Sequence, residues 1–191
     1  MKTIDNEYLD QLEINKSKFL SFAYPVSDEA HAKEILNLKK LEFKDATHIC
    51  FGLVLSSPRL EKCSDDGEPS GTAGKPILEL IKKKDLENVL IVVVRYFGGK
   101  KLGAGGLIRA YTNSAKLVID KANIIESFSK TKYVVTTQLN SLDKTKRLIT
   151  SLGGEILNIN FGEWAEITFE IKSDCELPIN LKERCKWKLQ N

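Results

Sequence analysis

The run VLIVVVRYF, residues 89–97, constrains the fold more than any other stretch of this chain. Its apolar residues do not alternate with polar ones, so both faces of a strand formed here would be buried. A glycine-rich segment, residues 98–106, follows, and residues 107–121 then show helical spacing of apolar side chains. The sequence therefore predicts a central strand within a compact layer of strands and helices that extends to about residue 125.

The chain before this strand predicts further elements. Residues 12–26 indicate either one bent strand or a hairpin that turns at residues 15–17. Ser27 is the expected N-cap of the next helix. The helical spacing of that helix directs three apolar side chains inward, Ile35, Leu38 and Leu41.

Two more elements are predicted next to the central strand. Residues 47–55 have the composition of a strand, and Pro76 is a favourable first residue for a short helix. That helix would bury one face, formed by Ile77, Leu80 and Ile81.

From residue 131 a second pattern begins. A strand over residues 132–139 precedes a helix over 141–152, which Ser141 or its neighbour caps and Gly153-Gly154 ends. A hairpin turning at residues 161–163 follows, and a last short helix is expected within 177–189. This β-α-β-β-α order indicates a small ferredoxin-like domain after a polar boundary near residues 127–131.

Composition excludes several classes of protein. The longest unbroken apolar run, residues 89–94, is too short to span a membrane. The first ten residues are acidic and contain no apolar stretch, so no secretion signal is expected. The four cysteines have no CxxC spacing, which is typical of free thiols in a reducing compartment. We expect a cytoplasmic protein with no membrane partner.

The distribution of charge is more informative than the net charge of +3. Residues 75–116 carry nine Lys and Arg residues against three acids, a local charge of +6. Residues 61–68 carry four acids and one lysine, a local charge of −3. A basic block beside an acidic stretch can attract phosphate. The run of lysines at 82–84 is, however, typical of a solvated helix face.

The acidic loop, DDGEPSGTAGKP at residues 65–76, suggests a phosphate-binding loop at first sight. A Walker A loop requires glycine five residues before its Gly-Lys pair, where this chain has Pro69. It also requires Ser or Thr after the lysine, and Pro76 stands there instead. The sequence thus excludes a nucleotide P-loop.

The glycine-rich segment lies between the central strand and a helix N-terminus. The dinucleotide fingerprint would need glycine at position 108, which is Ile108. Exposed backbone N–H groups at a helix N-terminus can nevertheless bind an anion, and Lys100, Lys101 and Arg109 add positive charge. The alternative is that these glycines only allow the strand and the helix to approach closely.

Arg95 lies within an apolar run and needs either a partner or a route to solvent. The acidic loop offers three carboxylates for an ion pair that would hold the two segments together, those of Asp65, Asp66 and Glu68. Tyr96 or Phe97 could stack on a nucleobase, although aromatic residues at a strand end more often belong to the core.

The same region also offers groups that could be catalytic. His48 and Cys50 share one face of a strand, and with Cys63 and Asp65 they could form a zinc or thiol site. The spacing is not that of a structural zinc module. Asp65 and Asp66 could hold magnesium near a phosphate, but adjacent acids in such a loop more often cap turns. We expect no cofactor and no metal, and assign no catalytic residue.

Two motifs resemble one known family. SDDGEPSGTAGKPILELI at residues 64–81 and VVVRYFGGKKLGAGGLIRAY at 92–111 resemble the IMPACT/YigZ family, and EINKSKF and DATHIC also fit its pattern. The resemblance covers roughly residues 10–120, and the second half is similar to the small C-terminal domain of bacterial members. It implies a ribosomal protein S5 domain 2-like domain at 1–128 and a ferredoxin-like, elongation-factor-like domain at 131–191.

The family motif marks two sets of residues in this chain. The first set lies in the acidic loop and comprises Asp65, Asp66, Gly67, Glu68, Pro69, Gly71, Thr72, Ala73, Gly74, Lys75 and Pro76. The second follows the central strand and comprises Arg95, Tyr96, Gly98, Gly99, Leu102, Gly103, Gly105 and Gly106. The resemblance implies no catalytic role for either set.

The resemblance implies a function in the control of translation. Eukaryotic members restrain a starvation-responsive kinase of translation initiation, a role that is not carried over here. We expect a non-enzymatic protein that contacts RNA or a ribosomal or translation-factor partner through a cleft between residues 65–76 and 95–109. The alternatives are an enzyme acting on a phosphorylated small molecule or nucleotide, with or without a metal, and a purely protein–protein regulator.

The residues expected to bind RNA or an anion in that cleft are Lys75, Arg95, Tyr96, Gly98, Gly99, Lys100, Lys101, Gly103, Gly105, Gly106 and Arg109, with His48 as a neighbour.

Overall fold

The computed structural model describes residues 1–126, 130–172, 175–182 and 185–187. The chain divides into two compact units, Met1–Ser127 and Phe128–Asn191. Both units combine helices with a β-sheet, so the predicted α+β fold class is confirmed. The domain limits 1–128 and 131–191 stay a proposal.

The first unit is built around one antiparallel sheet. Its elements in chain order are β1 (Lys2–Ile4), β2 (Tyr8–Ile14), β3 (Ser17–Pro25), α1 (Glu29–Glu42), β4 (His48–Ser56), β5 (Arg59–Ser64), α2 (Gly74–Lys83), β6 (Val89–Tyr96), α3 (Gly103–Lys121) and β7 (Ile124–Glu126). The sheet has five strands in the order β2-β3-β6-β4-β5, and β1 pairs separately with β7.

The central position predicted for residues 89–97 is confirmed by β6. This strand pairs with β3 on one side and β4 on the other, and its residues 89–95 are buried. One apolar cluster joins its first face to α2 and α3, and a second joins its other face to α1. Since both faces are covered, the unbroken run of Val, Leu and Ile has no side that needs polar residues.

The hairpin alternative for residues 12–26 is confirmed, and the single bent strand is wrong. β2 and β3 pair in register from Tyr8↔Ala23 to Ile14↔Ser17. Asn15 and Lys16 form the turn with φ values of 50° and 67°. Two consecutive residues in the left-handed region match the right-handed twist of the flanking strands.

All three helices of this unit begin at residues other than those predicted. The N-cap of α1 is Asp28 rather than Ser27, because its side chain accepts a hydrogen bond from the N–H of His31. α2 begins two residues before Pro76, although Ile77, Leu80 and Ile81 are buried as expected. α3 begins at Gly103, inside the glycine-rich segment rather than after it.

The predicted inward face of α1 is only partly correct. Ile35 packs against the apolar cluster as expected, together with Ala32 and Leu36. The prediction that Leu38 and Leu41 face inward is wrong, since they are 57% and 62% exposed. Leu38 lies two residues beyond Leu36, about 200° around the helix, so both cannot face the sheet.

The second unit forms a four-stranded antiparallel sheet in the order β11-β8-β10-β9. Its elements are β8 (Lys130–Thr137), a 3-10 turn (Leu139–Ser141), α4 (Leu142–Ser151), β9 (Glu155–Phe161), β10 (Ala165–Lys172), α5 (Ile179–Lys182) and β11 (Cys185–Trp187). The β-α-β-β-α-β order is that of a ferredoxin-like unit.

Two expectations for the second unit have clear outcomes. The expected hairpin is confirmed by β9 and β10, although its turn spans residues 162–164, because Phe161 still pairs with Ala165. The short helix expected within 177–189 is confirmed by α5, but it ends at Lys182, and the strand β11, which was not predicted, follows and pairs with β8. Residues 183, 184, 188 and 189 of that prediction lie outside the described residues.

Among the helices of the described residues, none has the length and apolar character needed to cross a membrane.

Candidate functional site

A cavity of about 400 Å³ opens where β6 ends, between the acidic loop and the glycine-rich segment. The two motifs that the sequence singled out are therefore neighbours in the fold. The cavity is lined by Thr47, His48, Glu68, Pro69, Arg95, Phe97, Lys101, Leu102, Gly103, Ala104 and Leu107.

The floor of this cavity is an ion pair between Arg95 and Glu68. Arg95 is 4% exposed, and its Nη1 donates a hydrogen bond of 2.5 Å to Oε1 of Glu68. The predicted pairing of Arg95 with the acidic loop is thus confirmed, with Glu68 as the partner among the three candidates. The central carbon of the guanidinium lies over the rings of Phe19 and Phe97, 5.4 and 5.5 Å from their centroids. Such cation–π contacts compensate part of the desolvation of a buried arginine.

The Glu68 carboxylate is surrounded by side chains from the sheet and from α3. His48 on β4 lies directly opposite Arg95, so both side chains share one face of the sheet. Nε2 of His48 is 3.9 Å from Oε1 of Glu68, and the Tyr111 hydroxyl donates to that same oxygen at 2.7 Å. Burial raises the pKa of Tyr111, so its hydroxyl keeps the proton that it donates. These contacts hold Glu68 in one position.

Asp65 holds the acidic loop together from inside. Its Oδ1 accepts hydrogen bonds from the N–H groups of Ala73 and Gly74, and its Oδ2 accepts one from Gly71. Partial burial of the carboxyl opposes ionisation, but these three donors outweigh it and lower its pKa. The backbone N–H groups of the loop thus bind the loop's own carboxylate, in the way that such groups bind a free anion in other proteins.

Asp66 is also engaged by the backbone. Its Oδ2 accepts a hydrogen bond of 2.6 Å from the N–H of Ile49, and its carbonyl oxygen lies 2.8 Å from Nδ1 of His48. Both aspartates therefore have structural partners, and neither lines the cavity. Within the residues that the structure describes, no cluster of three or more His, Cys, Asp or Glu side chains could hold a metal ion.

Cys50, which the sequence offered as part of a thiol site, is buried beneath the acidic loop. Its thiol lies 3.0 Å from the carbonyl oxygen of Asp65 and 3.5 Å from the Tyr111 hydroxyl. Burial raises the pKa of the Cys50 thiol to about 12. A thiol in this environment stays protonated near neutral pH, so it is a poor nucleophile.

The glycine-rich segment is not one continuous turn. Gly98 lies against the β2–β3 turn, where a Cβ atom would come within 2.0 Å of the backbone carbon of Lys16. Gly99 and Gly103 have φ values of 83° and 71° and open space around them. Gly105 and Gly106 lie within the first turns of α3. Gly98 thus permits the end of β6 to approach the β2–β3 turn closely, which is a different contact from the strand–helix approach that the sequence suggested.

The basic residues of the predicted site do not all lie together. Lys101 lines the cavity and Lys100 precedes it, both exposed. Within the described part of the chain, neither lysine has an ion pair or a side-chain hydrogen bond. Lys75 lines a separate groove of about 470 Å³ between α2 and α3. Arg109 is exposed on α3 and does not line the cavity.

Other motif residues have positions that the sequence did not indicate. Tyr96 packs on the opposite face of the sheet, where its hydroxyl donates to Asp45, so it does not line the cavity. Gly71 and Pro76 line the groove beside Lys75. The backbone at Gly74 comes so close to Ser64 that a Cβ atom would lie 2.5 Å from its carbonyl oxygen.

Several residues of the site were not predicted from the sequence. Ala104 and Leu107 line the wall formed by the start of α3, beside the motif residue Leu102, and Thr47 also lines the cavity. Tyr111 was not singled out, yet its hydroxyl fixes Glu68. A tyrosine on the buried face of a helix was the available signal, because a buried hydroxyl needs a polar partner.

Comparison with known proteins matches the first unit to one family. The Impact N-terminal domain matches residues 15–119, a range that contains every residue lining the cavity. The IMPACT family member YvyE of Bacillus subtilis (strain 168) is 44% identical over 117 residues, which are 61% of this chain and 54% of that protein. The matched segment thus spans about half the length of this relative.

Two further similarities extend over more of the chain. The IMPACT family member YigZ of Escherichia coli (strain K12) is 32% identical over 152 residues, 78% of this chain and 74% of that protein. A crystal structure described as that of a hypothetical protein is 27% identical and has a TM-score of 0.75. It covers 90% of this chain and 85% of its own. By these matches, the chain belongs to the IMPACT family.

Proposed function

We propose that this protein is a non-enzymatic component of the translation system that contacts RNA, free or within the ribosome, through the mouth of the cavity. The observation that carries the proposal is a pair of exposed lysines without ion-pair partners in the described residues, beside an exposed aromatic ring. Lys100 and Lys101 supply the charge, and Phe97, which is 45% exposed, supplies the ring.

The electrostatics of the cavity wall favour a phosphate group at its rim. Gly103 and Ala104 form the start of α3 and line the cavity. The first backbone N–H groups of a helix have no partner within the helix and carry the positive end of its dipole. Together with Lys101 they present positive charge to a ligand at the opening. Phosphate contacts of this kind give binding that depends strongly on salt and weakly on sequence.

The size of the site indicates a small footprint. A cavity of about 400 Å³ lies in the lower part of the range for ligand pockets, and a net charge of +3 gives no extended basic surface. Single-stranded RNA with one or two nucleotides at the cavity fits these limits better than a long duplex does. The association of the resembled family with control of translation and the expected cytoplasmic location point to the same type of partner.

The test is RNA titration with the double variant Lys100→Ala/Lys101→Ala. At about 50 mM salt we expect the variant to bind single-stranded RNA about tenfold more weakly than the unmodified protein. Binding weakens as salt rises, so the logarithm of the association constant has a negative slope against log salt concentration. Loss of two phosphate contacts should make this slope shallower by about 1.4. Fluorescence anisotropy at about 50 and 200 mM salt measures both quantities.

The matched control is Lys33→Ala/Lys40→Ala, which removes the same charge from the exposed side of α1. This helix packs on the opposite face of the sheet from α3. The control should bind RNA as the unmodified protein does. If Lys100→Ala/Lys101→Ala also binds like the unmodified protein at low salt, the cavity mouth is not an RNA site and the proposal is wrong.

A further inference from the structure

The floor of the cavity is electrically neutral, although a cationic residue lies there. Arg95 and Glu68 are 4% and 8% exposed and form a close ion pair. A buried pair of this kind presents no net charge to a ligand, so a phosphate at the floor would gain little from Arg95 and would meet the carboxylate as well. The sequence-based expectation that Arg95 contacts phosphate therefore has no support in the geometry.

The same pair leaves one hydrogen-bonding position open to a ligand. Nε of Arg95 has no hydrogen-bond partner, but it is fully enclosed and out of reach of a ligand in the cavity. Oε1 of Glu68 accepts hydrogen bonds from Arg95 and Tyr111, whereas no bond within the described residues reaches Oε2. A ligand that donates a hydrogen bond to Oε2 is favoured, because this acceptor has no partner in the fold. The floor thus offers one acceptor.

The walls of the cavity suit a flat group. The ring of Phe97 lies over the Arg95 guanidinium and is 45% exposed. Apolar side chains form the rest of the wall, among them those of Pro69, Leu102 and Leu107. A planar heterocycle can stack on such a ring, while a purely aliphatic ligand would leave the Oε2 acceptor of Glu68 unsatisfied.

We propose that the cavity binds an unpaired nucleobase, whose hydrogen-bonding edge donates to Oε2 of Glu68. The base stacks on Phe97, and the phosphate of the same nucleotide lies at the rim on Lys101 and the start of α3. Every nucleobase carries an N–H donor on its Watson–Crick edge, which matches the open acceptor of the floor. This inference rests on the proposed RNA contact and adds that the base is bound as well as the backbone.

The experiment compares two probes of equal length and charge, a single-stranded RNA hexanucleotide and the same chain without its bases. Both are titrated at one low salt concentration. Base stacking of the expected kind should make the hexanucleotide bind about tenfold more tightly than the abasic chain. Phe97→Ala should remove that difference and leave binding of the abasic chain unchanged, because Phe97 makes no contact with phosphate.

The control variant is Phe161→Ala, which removes another exposed phenylalanine from the second unit and should keep the preference for the base-containing chain. Equal binding of the two probes to the unmodified protein would overturn this inference and leave the proposed function standing. A preference for bases that survives in Phe97→Ala would also overturn it. Failure of both probes to bind would refute the proposed function itself, and the inference with it.

Discussion

The acidic loop and the glycine-rich segment form opposite sides of one cavity, but their charged residues serve different purposes. In the acidic loop, Asp65 and Asp66 accept backbone hydrogen bonds and Glu68 pairs with Arg95. In the glycine-rich segment, Lys100 and Lys101 are exposed and have no ion pair within the described residues. The carboxylates thus stabilise the fold, whereas the lysines are available to a ligand.

This difference shows that a charged motif need not be the part of a site that binds. The acidic loop looks more like a ligand site than any other stretch, yet its oxygens are largely occupied by its own chain. Because satisfied groups gain nothing from a further partner, ligand contacts are expected from groups that the fold leaves unsatisfied. Three predictions test this division, from the largest expected effect to the smallest.

The largest loss of stability is expected from Arg95→Met. Removal of the guanidinium leaves the buried Glu68 carboxylate without its cationic partner, which should cost about 3–5 kcal/mol of unfolding free energy. Denaturant unfolding followed by circular dichroism measures this loss. Replacing both partners, as Arg95→Met/Glu68→Leu, should recover part of it, since no buried charge then remains.

Arg59→Met provides the control for the loss of an arginine. Arg59 also pairs with a glutamate, Glu61, but its side chain is 72% exposed. Its replacement should cost less than about 1 kcal/mol. Equal effects of Arg95→Met and Arg59→Met would show that the buried pair does not hold the acidic loop to the sheet.

An intermediate effect is expected from Asp65→Asn. In the unmodified protein three backbone N–H groups donate to the Asp65 carboxylate. The substitution replaces one carboxylate oxygen by an amide N–H donor, which should lower the unfolding free energy by about 2–4 kcal/mol. Asp85→Asn, an exposed aspartate without such bonds in the described residues, should be nearly neutral. Denaturant midpoints of the three proteins at neutral pH give the comparison.

The pH dependence of the same variant tests the cause. Because the pKa of Asp65 is lowered in the fold, its contribution is complete above the unfolded-state pKa, about 3.9. It is lost as pH falls through the lower folded-state pKa. Asp65→Asn should therefore differ most from the unmodified protein at neutral pH, and the gap should narrow in strong acid. A gap that stays constant with pH would contradict an electrostatic role for the carboxylate.

The smallest effect on stability is expected from Lys100→Ala/Lys101→Ala. Both side chains are exposed, so their loss should change the unfolding free energy by no more than about 0.5 kcal/mol. Thermal and denaturant unfolding of this variant and of Lys33→Ala/Lys40→Ala provide the measurement. Marked destabilisation by the first pair alone would mean that the glycine-rich segment is as structural as the acidic loop.

Some features of the fold follow directly from the sequence. The position of β6 at the centre of the sheet is predictable, because the six consecutive apolar residues 89–94 leave no face of the strand for water. The buried face of α2 is predictable for a similar reason, since its apolar residues recur at helical spacing. The face of α1 is not, because leucines occur on more than one side and only packing decides which are covered. β5 also went unpredicted, since its sequence RLEKCS is too polar to indicate a strand.

The candidate site could be predicted only in outline. Residues 65–76 and 95–109 were expected to form a cleft, and Arg95 was expected to pair with a carboxylate. The choice of Glu68 over Asp65 and Asp66 depends on where the loop directs each side chain, which in turn depends on backbone hydrogen bonds within the loop. The separation of Lys75 and Tyr96 from the cavity likewise follows from the orientation of α2 and the alternation of side chains along β6.

By itself the sequence determined the central strand, the hairpin region, the family and the need of Arg95 for a partner. Each of these depends on local pattern or on the cost of burying a charge, and both can be read along the chain. The tertiary structure alone decided which carboxylate pairs with Arg95, which glycine permits close approach and which lysines stay free. These depend on distances between residues far apart in sequence, because a polar group is available to a ligand only when no other part of the fold has already bound it.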